Sequence, residues 1–162
     1  MKYPIGIQDF QKIIEDGYVY VDKTDLVYKL ANEGQIYFLS RPRRFGKSLL
    51  ISTLKYYFQG RKDLFRGLAI DKLEKEWAEY PVFHLSFANG NFTEGKALKQ
   101  ILEDYIAEME TEYGNNPHAN TISGRFASVL KAAHKKTGRR AACSHRGADS
   151  GGRTRTPEGR GF

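Results

Sequence analysis

Apolar residues recur along this chain with two periods, one near 3.6 and one near 2, and the switches between them divide it into elements. Within IGIQDFQKIIEDG, Ile7, Phe10, Ile13 and Ile14 fall at helical spacing and Gly17 supplies a stop. Tyr18 to Val21 reads as a short strand. DKTDLVYKLANEG predicts a helix that Asp22 can cap and Gly34 can end, with Leu26, Val27 and Leu30 on one face. Ile36 to Ser40 is a continuous apolar run, the pattern of a strand buried on both sides. From Lys47 to Phe58 the helical period returns, and Leu50, Ile51, Leu54 and Phe58 are expected to face inward.

The second half repeats the alternation. QGRKDLFRGLAIDKLEKEWAEYP predicts a turn and a short charged helix, in which Trp77 packs over Leu73 at i−4. Pro81 to Gly90 predicts a strand with Val82, His84 and Ser86 on one face and Phe83, Leu85 and Phe87 on the other. His84 reads as a half-buried, satisfied strand residue. A helix is expected from Thr93 to Tyr113, with Leu98, Ile101, Leu102, Tyr105, Ile106 and Met109 as its apolar stripe. A last helix, Thr121 to Lys136, turns Phe126, Val129 and Leu130 inward and ends at Gly138.

Beyond Gly138 the pattern stops. From Ala141 to Gly161 there is no Val, Ile, Leu, Met, Phe, Tyr or Trp. Such a segment cannot bury enough apolar area to offset its ordering entropy, so no regular element is expected there. The charge changes the picture at the same place. The net charge of +7 invites a nucleic-acid reading. Yet Arg139 to Phe162 holds six arginines against Asp149 and Glu158, and the remaining 138 residues hold 20 basic and 17 acidic side chains. The body is nearly balanced and the excess sits in the tail.

The length of 162 residues suits one domain. The single cysteine, Cys143, excludes a disulfide framework, and His145 beside it is too little for a metal site. MKYPIGIQDF lacks the apolar core of a signal peptide, and no segment is suited to span a bilayer. A reducing, cytoplasmic setting is the expectation.

Candidate chemistry gathers where the apolar run Ile36–Ser40 gives way to Arg41-Pro42-Arg43-Arg44-Phe45-Gly46-Lys47-Ser48 and then to a helix. Strand, turn with Gly-Lys-Ser, amphipathic helix is the context of a phosphate-binding loop. Backbone N–H groups and the helix dipole favour an anion there. Gly46 lets the backbone approach closely, Lys47 would reach the β- and γ-phosphates, and Ser48 would offer its hydroxyl to Mg²⁺. The general pattern G-x-x-x-x-G-K-[ST] has a glycine where this chain has Arg41, and Pro42 biases Arg41 toward extended backbone. Two other readings stand beside it: an exposed basic turn that caps a helix, and nucleic-acid contact through Arg41, Arg43 and Arg44. Tyr56, Tyr57 and Phe58 fall on different helix faces, which disfavours a base-stacking platform.

YPIGIQDFQKIIEDGYVYVDKTDLVYKL, FLSRPRRFGKSLLISTLKYYFQG and LFRGLAI together resemble the AAA-ATPase-like domain of prokaryotic proteins that usually carry a PD-(D/E)XK nuclease-like domain further along. The resemblance runs from about Tyr3 to Gly138. It implies a family-specific Walker A variant, RPRRFGKS, in which Arg41 belongs to the loop. It places nucleotide binding, with ATP as the expected ligand, on Arg43, Arg44, Phe45, Gly46, Lys47, Ser48 and Leu49, and Mg²⁺ on Ser48. Asp22-Lys23-Thr24 matches a family signature whose suggested role is a capped helix beside the nucleotide.

The resemblance also implies a three-layer α/β P-loop fold with a parallel sheet. The family's aliphatic strand ending in Asp-Glu, its Walker B element, has no counterpart in GRRAACSHRGADSGGRTRTPEGRGF, and no nuclease-like region follows. The expected organisation is a partial domain over residues 1–138 with an unsatisfied sheet edge, followed by a disordered basic tail over 139–162. The abrupt change of texture suggests an out-of-frame tail; a natural linker is the alternative. The expected function is ATP binding with hydrolysis lost and no catalytic residue assigned. The second reading is a nucleic-acid-binding module built on the Arg-rich loop and the tail.

Overall fold

The computed structural model describes residues 1–34, 36–40, 42, 45–86 and 95–146. They form six helices and two strands in the order α1 (Phe10–Glu15), α2 (Thr24–Glu33), α3 (Lys47–Phe58), a 3-10 turn (Lys62–Phe65), α4 (Ala69–Leu73), β1 (Val82–Ser86), α5 (Gly95–Tyr113), α6 (Ile122–Thr137) and β2 (Ala142–Arg146). Two apolar clusters organise them. In the first, Phe10, Val27, Tyr56, Tyr57, Leu64, Phe65 and Ile70 bring α1, α2, α3 and α4 together. In the second, Phe83 of β1 meets Ile106 and Met109 of α5 and Val129 and Ala133 of α6. A bidentate ion pair ties the last two helices, with Arg125 Nε and Nη2 donating to Glu110 Oε1 and Oε2 at 2.9 and 2.6 Å.

The N-terminal half is also clasped by side chains that stand in for helix caps. No side chain of its own caps α4. Its first two amides are satisfied from the start of α2 and the residues just before it: Ala69 N donates to Asp22 Oδ2 at 2.7 Å and Ile70 N to Thr24 Oγ1 at 3.0 Å. Asp22 Oδ1 meanwhile accepts from Thr24 N and Thr24 Oγ1. Orphan N–H groups at a helix start need such acceptors. The Asp22-Lys23-Thr24 signature therefore joins two helix N-termini, and Thr24 is fully buried in doing so.

β1 and β2 pair in parallel, Val82 opposite Ala142 through Ser86 opposite Arg146. A parallel pair needs a crossover, and α5 and α6 lie within it. The sheet is parallel, as expected, but it pairs β1 with a strand of the tail and not with the residues before the loop, and the three-layer sheet is not seen among the described residues. β2 corrects the expectation that no regular element follows Gly138. Ala142, Cys143 and Ser144 have short side chains that bury little, but the backbone ladder supplies what burial does not, joined by Ala142 N donating to Pro81 O at 2.8 Å and His84 Nδ1 lying 3.0 Å from Ser144 Oγ. Cross-strand pairing is itself a stabilising unit.

Two other expected strands are corrected. Tyr18 makes one parallel bridge, to Lys2, and Val21 is exposed. Ile36 to Ser40 is neither a strand nor buried: Ile36 is 94% exposed and Phe38 91%. A strand buried on both sides exists only where neighbours cover it.

Helix faces shift as well. α3 buries Thr53, Tyr56 and Tyr57 most deeply, with Leu50, Leu54 and Phe58 at the edge of the cluster, and Leu26 of α2 is exposed. Trp77 does pack, 5.2 Å from the Phe65 ring, but from a turn rather than a helix, since α4 ends at Leu73. The expected helix start at Thr93 and the strand end at Phe87–Gly90 lie outside the described residues.

Thr24→Val keeps the shape of the buried side chain and removes the acceptor of the Ile70 amide. It should cost about 1–3 kcal/mol, read as a lower urea midpoint at unchanged slope. An unchanged midpoint would contradict the clasp.

Candidate functional site

The candidate site is the N-terminus of α3. Gly46 precedes the helix with φ +72°, in the left-handed region that side chains rarely adopt. Among the described residues no side chain caps this end, and the first bond into the helix is Leu50 N to Gly46 O at 2.9 Å. The amides ahead of Leu50 therefore lie at the positive end of a 12-residue helix. Among the described residues, a Cβ built on Gly46 would meet no atom within 4 Å. Lys47, Ser48 and Leu49 are half-buried in the first turn, and Phe45 is 62% exposed. Lys47 Nζ donates to Pro42 O at 3.5 Å, which folds the amine back over the loop.

Of the expected site residues, Phe45, Gly46, Lys47, Ser48 and Leu49 are thus brought together. Arg43 and Arg44, with Arg41, lie outside the described residues. Arg139, at the start of the basic tail, stacks over the Tyr80 ring at 5.1 Å.

One residue that the sequence reading passed over fixes the whole arrangement. Asp9 Oδ1 caps α1 by accepting from Lys12 N at 3.0 Å. Its Oδ2 accepts from Ser52 Oγ at 3.2 Å and from Tyr56 Oη at 3.1 Å, while Ser52 Oγ accepts from Phe10 N at 2.9 Å. Ser48, Ser52 and Tyr56 are spaced i, i+4, i+8, so the stripe that Asp9 holds continues into the first turn of α3. An Asp directly before an apolar helical run was the available signal for this cap. Burial, then the charge of Asp9 and its hydrogen bond, push the Tyr56 phenol up to about 12, so its Oη stays a donor. At the far end of α3, Tyr57 Oη donates to Glu74 at 2.5 Å. Burial first, and then this bond, raise the Tyr57 phenol too.

Groups of three or more His, Cys, Asp or Glu side chains placed to hold a metal are absent among the described residues. No described helix is long and apolar enough to cross a membrane.

The described residues thus form a mixed helix–strand chain with a small parallel two-strand sheet and a glycine-led helix start. Residues 4–143 match the family described as a predicted AAA-ATPase, and the chain belongs to that family. It is also similar to an "uncharacterized protein in vnfD 5'region" of Azotobacter chroococcum mcd 1, at 40% identity over 141 residues. That alignment covers 86% of this chain and 27% of the relative, so the chain spans little more than a quarter of the relative's length. No solved structure matches the chain.

The raised Tyr56 phenol gives a pH test. The folded state favours the neutral phenol, so its contribution is complete below pH 10 and is lost as pH rises through about 12. Tyr56→Phe should remove that part of the alkaline decline in urea-unfolding stability. An equal decline in both proteins would contradict the Asp9–Tyr56 contact.

Proposed function

We propose that this chain binds ATP with Mg²⁺ at residues 43–49, as a Walker A variant within a P-loop fold whose complete form is a three-layer α/β sheet. One observation carries the reading: a left-handed Gly46 sets Lys47 and Ser48 in the first turn of α3, with no cap from any described side chain. Membership of a predicted AAA-ATPase family supports it. The residues fit a polyphosphate. Among the described residues nothing crowds a Cβ at Gly46, the helix end is positive, and Lys47 carries the point charge suited to terminal phosphates. Ser48 supplies a hydroxyl of the kind that ligates Mg²⁺, and the bound ion would neutralise charge between the phosphates. Arg43 and Arg44 add two cationic side chains to the same stretch of sequence.

The same chemistry limits the activity. Positioning phosphates does not orient an attacking water, for which a strand-borne carboxylate is the usual device. β2, Ala-Cys-Ser-His-Arg, contains no carboxylate. The chain is therefore a nucleotide binder in this proposal and not an efficient hydrolase. The whole activity and partners of longer relatives lie beyond it.

Lys47→Ala should weaken Mg-ATP binding by about tenfold or more, the consequence of losing one charged hydrogen bond, measured by calorimetry on variants with matched circular dichroism. Unchanged affinity in a folded variant would sink the assignment. ATP turnover should stay at background with and without Lys47; turnover that Lys47→Ala removes would show that a water-orienting group is present.

A further inference from the structure

A cavity of about 380 Å³ opens between α2, the far end of α3 and the turn that follows α4. That size lies within the range of small-molecule sites. Its lining includes the rings of Tyr28, Tyr57, Phe58 and Tyr80, together with Asn32 and Glu74. The rings brace one another: Tyr57 meets Phe58 edge to face at 5.2 Å, and Phe58 meets Tyr80 in the same way at 5.6 Å. Tyr57 stands near the end of α3 and Lys47 at its start, roughly 15 Å apart along the helix axis. The cavity is therefore a different place from the candidate phosphate loop.

Charge decides what such a cavity takes. Glu74 Oε1 accepts from Lys75 N at 2.9 Å and from Glu76 N at 3.0 Å, and its Oε2 accepts from Tyr57 Oη. Partial burial acts to raise the Glu74 carboxyl and is outweighed by the hydrogen bonds from Tyr57 and the turn, which leave it below its usual range. The same turn sets Trp77 at φ +46°, a costly conformation for a bulky side chain that persists only where its surroundings over-determine it. Glu76 adds a second carboxylate to the lining, while the amine of Lys75 is drawn to Lys72 O at 3.1 Å. Aromatic rings beside a fixed negative charge select an organic cation over an anion. One such pairing is already made here: the Arg139 guanidinium lies 5.1 Å from the centre of the Tyr80 ring, although Arg139 is not in the cavity lining. A planar guanidinium stacks on rings better than a compact ammonium does. We propose that this cavity binds a guanidinium group, carried by a free small molecule or by an arginine side chain of a partner, among the four rings and beside Glu74. The inference stands apart from the nucleotide reading, since its residues lie away from the loop and its test uses no nucleotide.

Butylguanidinium and butylurea, alike in shape and different in charge, test this by titration into the full chain. The indole N–H resonance of Trp77, the single tryptophan, reports from beside the cavity, because its ring lies 6.0 Å from that of Tyr57. Butylguanidinium should move the resonance saturably, and butylurea should leave it in place. Glu74→Gln keeps the side chain's shape, removes its charge and should weaken guanidinium binding about tenfold. Because Glu74 also organises the turn, Tyr80→Leu provides a second variant. It removes one aromatic wall, leaves Glu74 intact and should weaken binding about threefold or more. A capped arginine-containing peptide that binds more tightly than butylguanidinium would assign the site to a partner's arginine; equal or weaker binding would assign it to a free small molecule. An equal response to butylurea, no saturable shift with butylguanidinium, or unchanged affinity in both folded variants would overturn the proposal.

Discussion

Asp9 is the point on which the candidate site turns. A helix start can serve as an anion site only if something else holds the helix still, because the ligand cannot supply both its own binding and the ordering of the loop. Here the holding group is one carboxylate used on both oxygens. Oδ1 caps α1, and Oδ2 receives the hydroxyls of Ser52 and Tyr56 from α3. The Phe10 amide closes the loop back onto Ser52. Ser52 lies one turn beyond Ser48, about 6 Å along the axis. The anchor therefore sits close to the open end of α3 without blocking it. Phe10, which follows Asp9, is fully buried 4.8 Å from the Phe65 ring, so polar anchor and apolar core act on adjacent residues.

The same economy recurs at α4. A five-residue helix has little stability of its own. Asp22 and Thr24 make it part of the fold by accepting its first amides from another helix. For Asp22, partial burial acts to raise the carboxyl and is outweighed by the three hydrogen bonds it accepts, which leave it below its usual range. The carboxylate is thus the form the fold requires. Placing Asp-Lys-Thr at this clasp gives the signature a structural task, distinct from contact with a nucleotide.

The helices were legible because their evidence is local. Ile7 to Gly17, Lys47 to Phe58, and Thr121 to Gly138 carry periodicity or end signals in their own residues, and α6 ends in the left-handed Gly138 that its sequence called for. The turn before α3 was legible for the same reason, since Gly46 takes a conformation that its residue type permits. Strands were less so. Ile36–Ser40 has the pattern of a buried strand, but pattern cannot supply the neighbour that buries it. β2 has no such pattern and forms because β1 offers a ladder. The rotation of α3, which buries Tyr56 and Tyr57, follows from hydroxyl partners on Asp9 and Glu74 that lie 47 and 17 residues away. No window of sequence contains both ends of such a contact.

The central claim is that the start of α3 is the nucleotide site. Backbone ¹⁵N–¹H correlation spectra during Mg-ATP titration test it most directly, because they report on each amide separately. The account predicts that the largest saturable shifts fall on the amides of Gly46, Lys47, Ser48 and Leu49, with those of Arg139 and later residues little changed. Saturable shifts confined to the Arg-rich tail, or none at Gly46–Leu49, would contradict it.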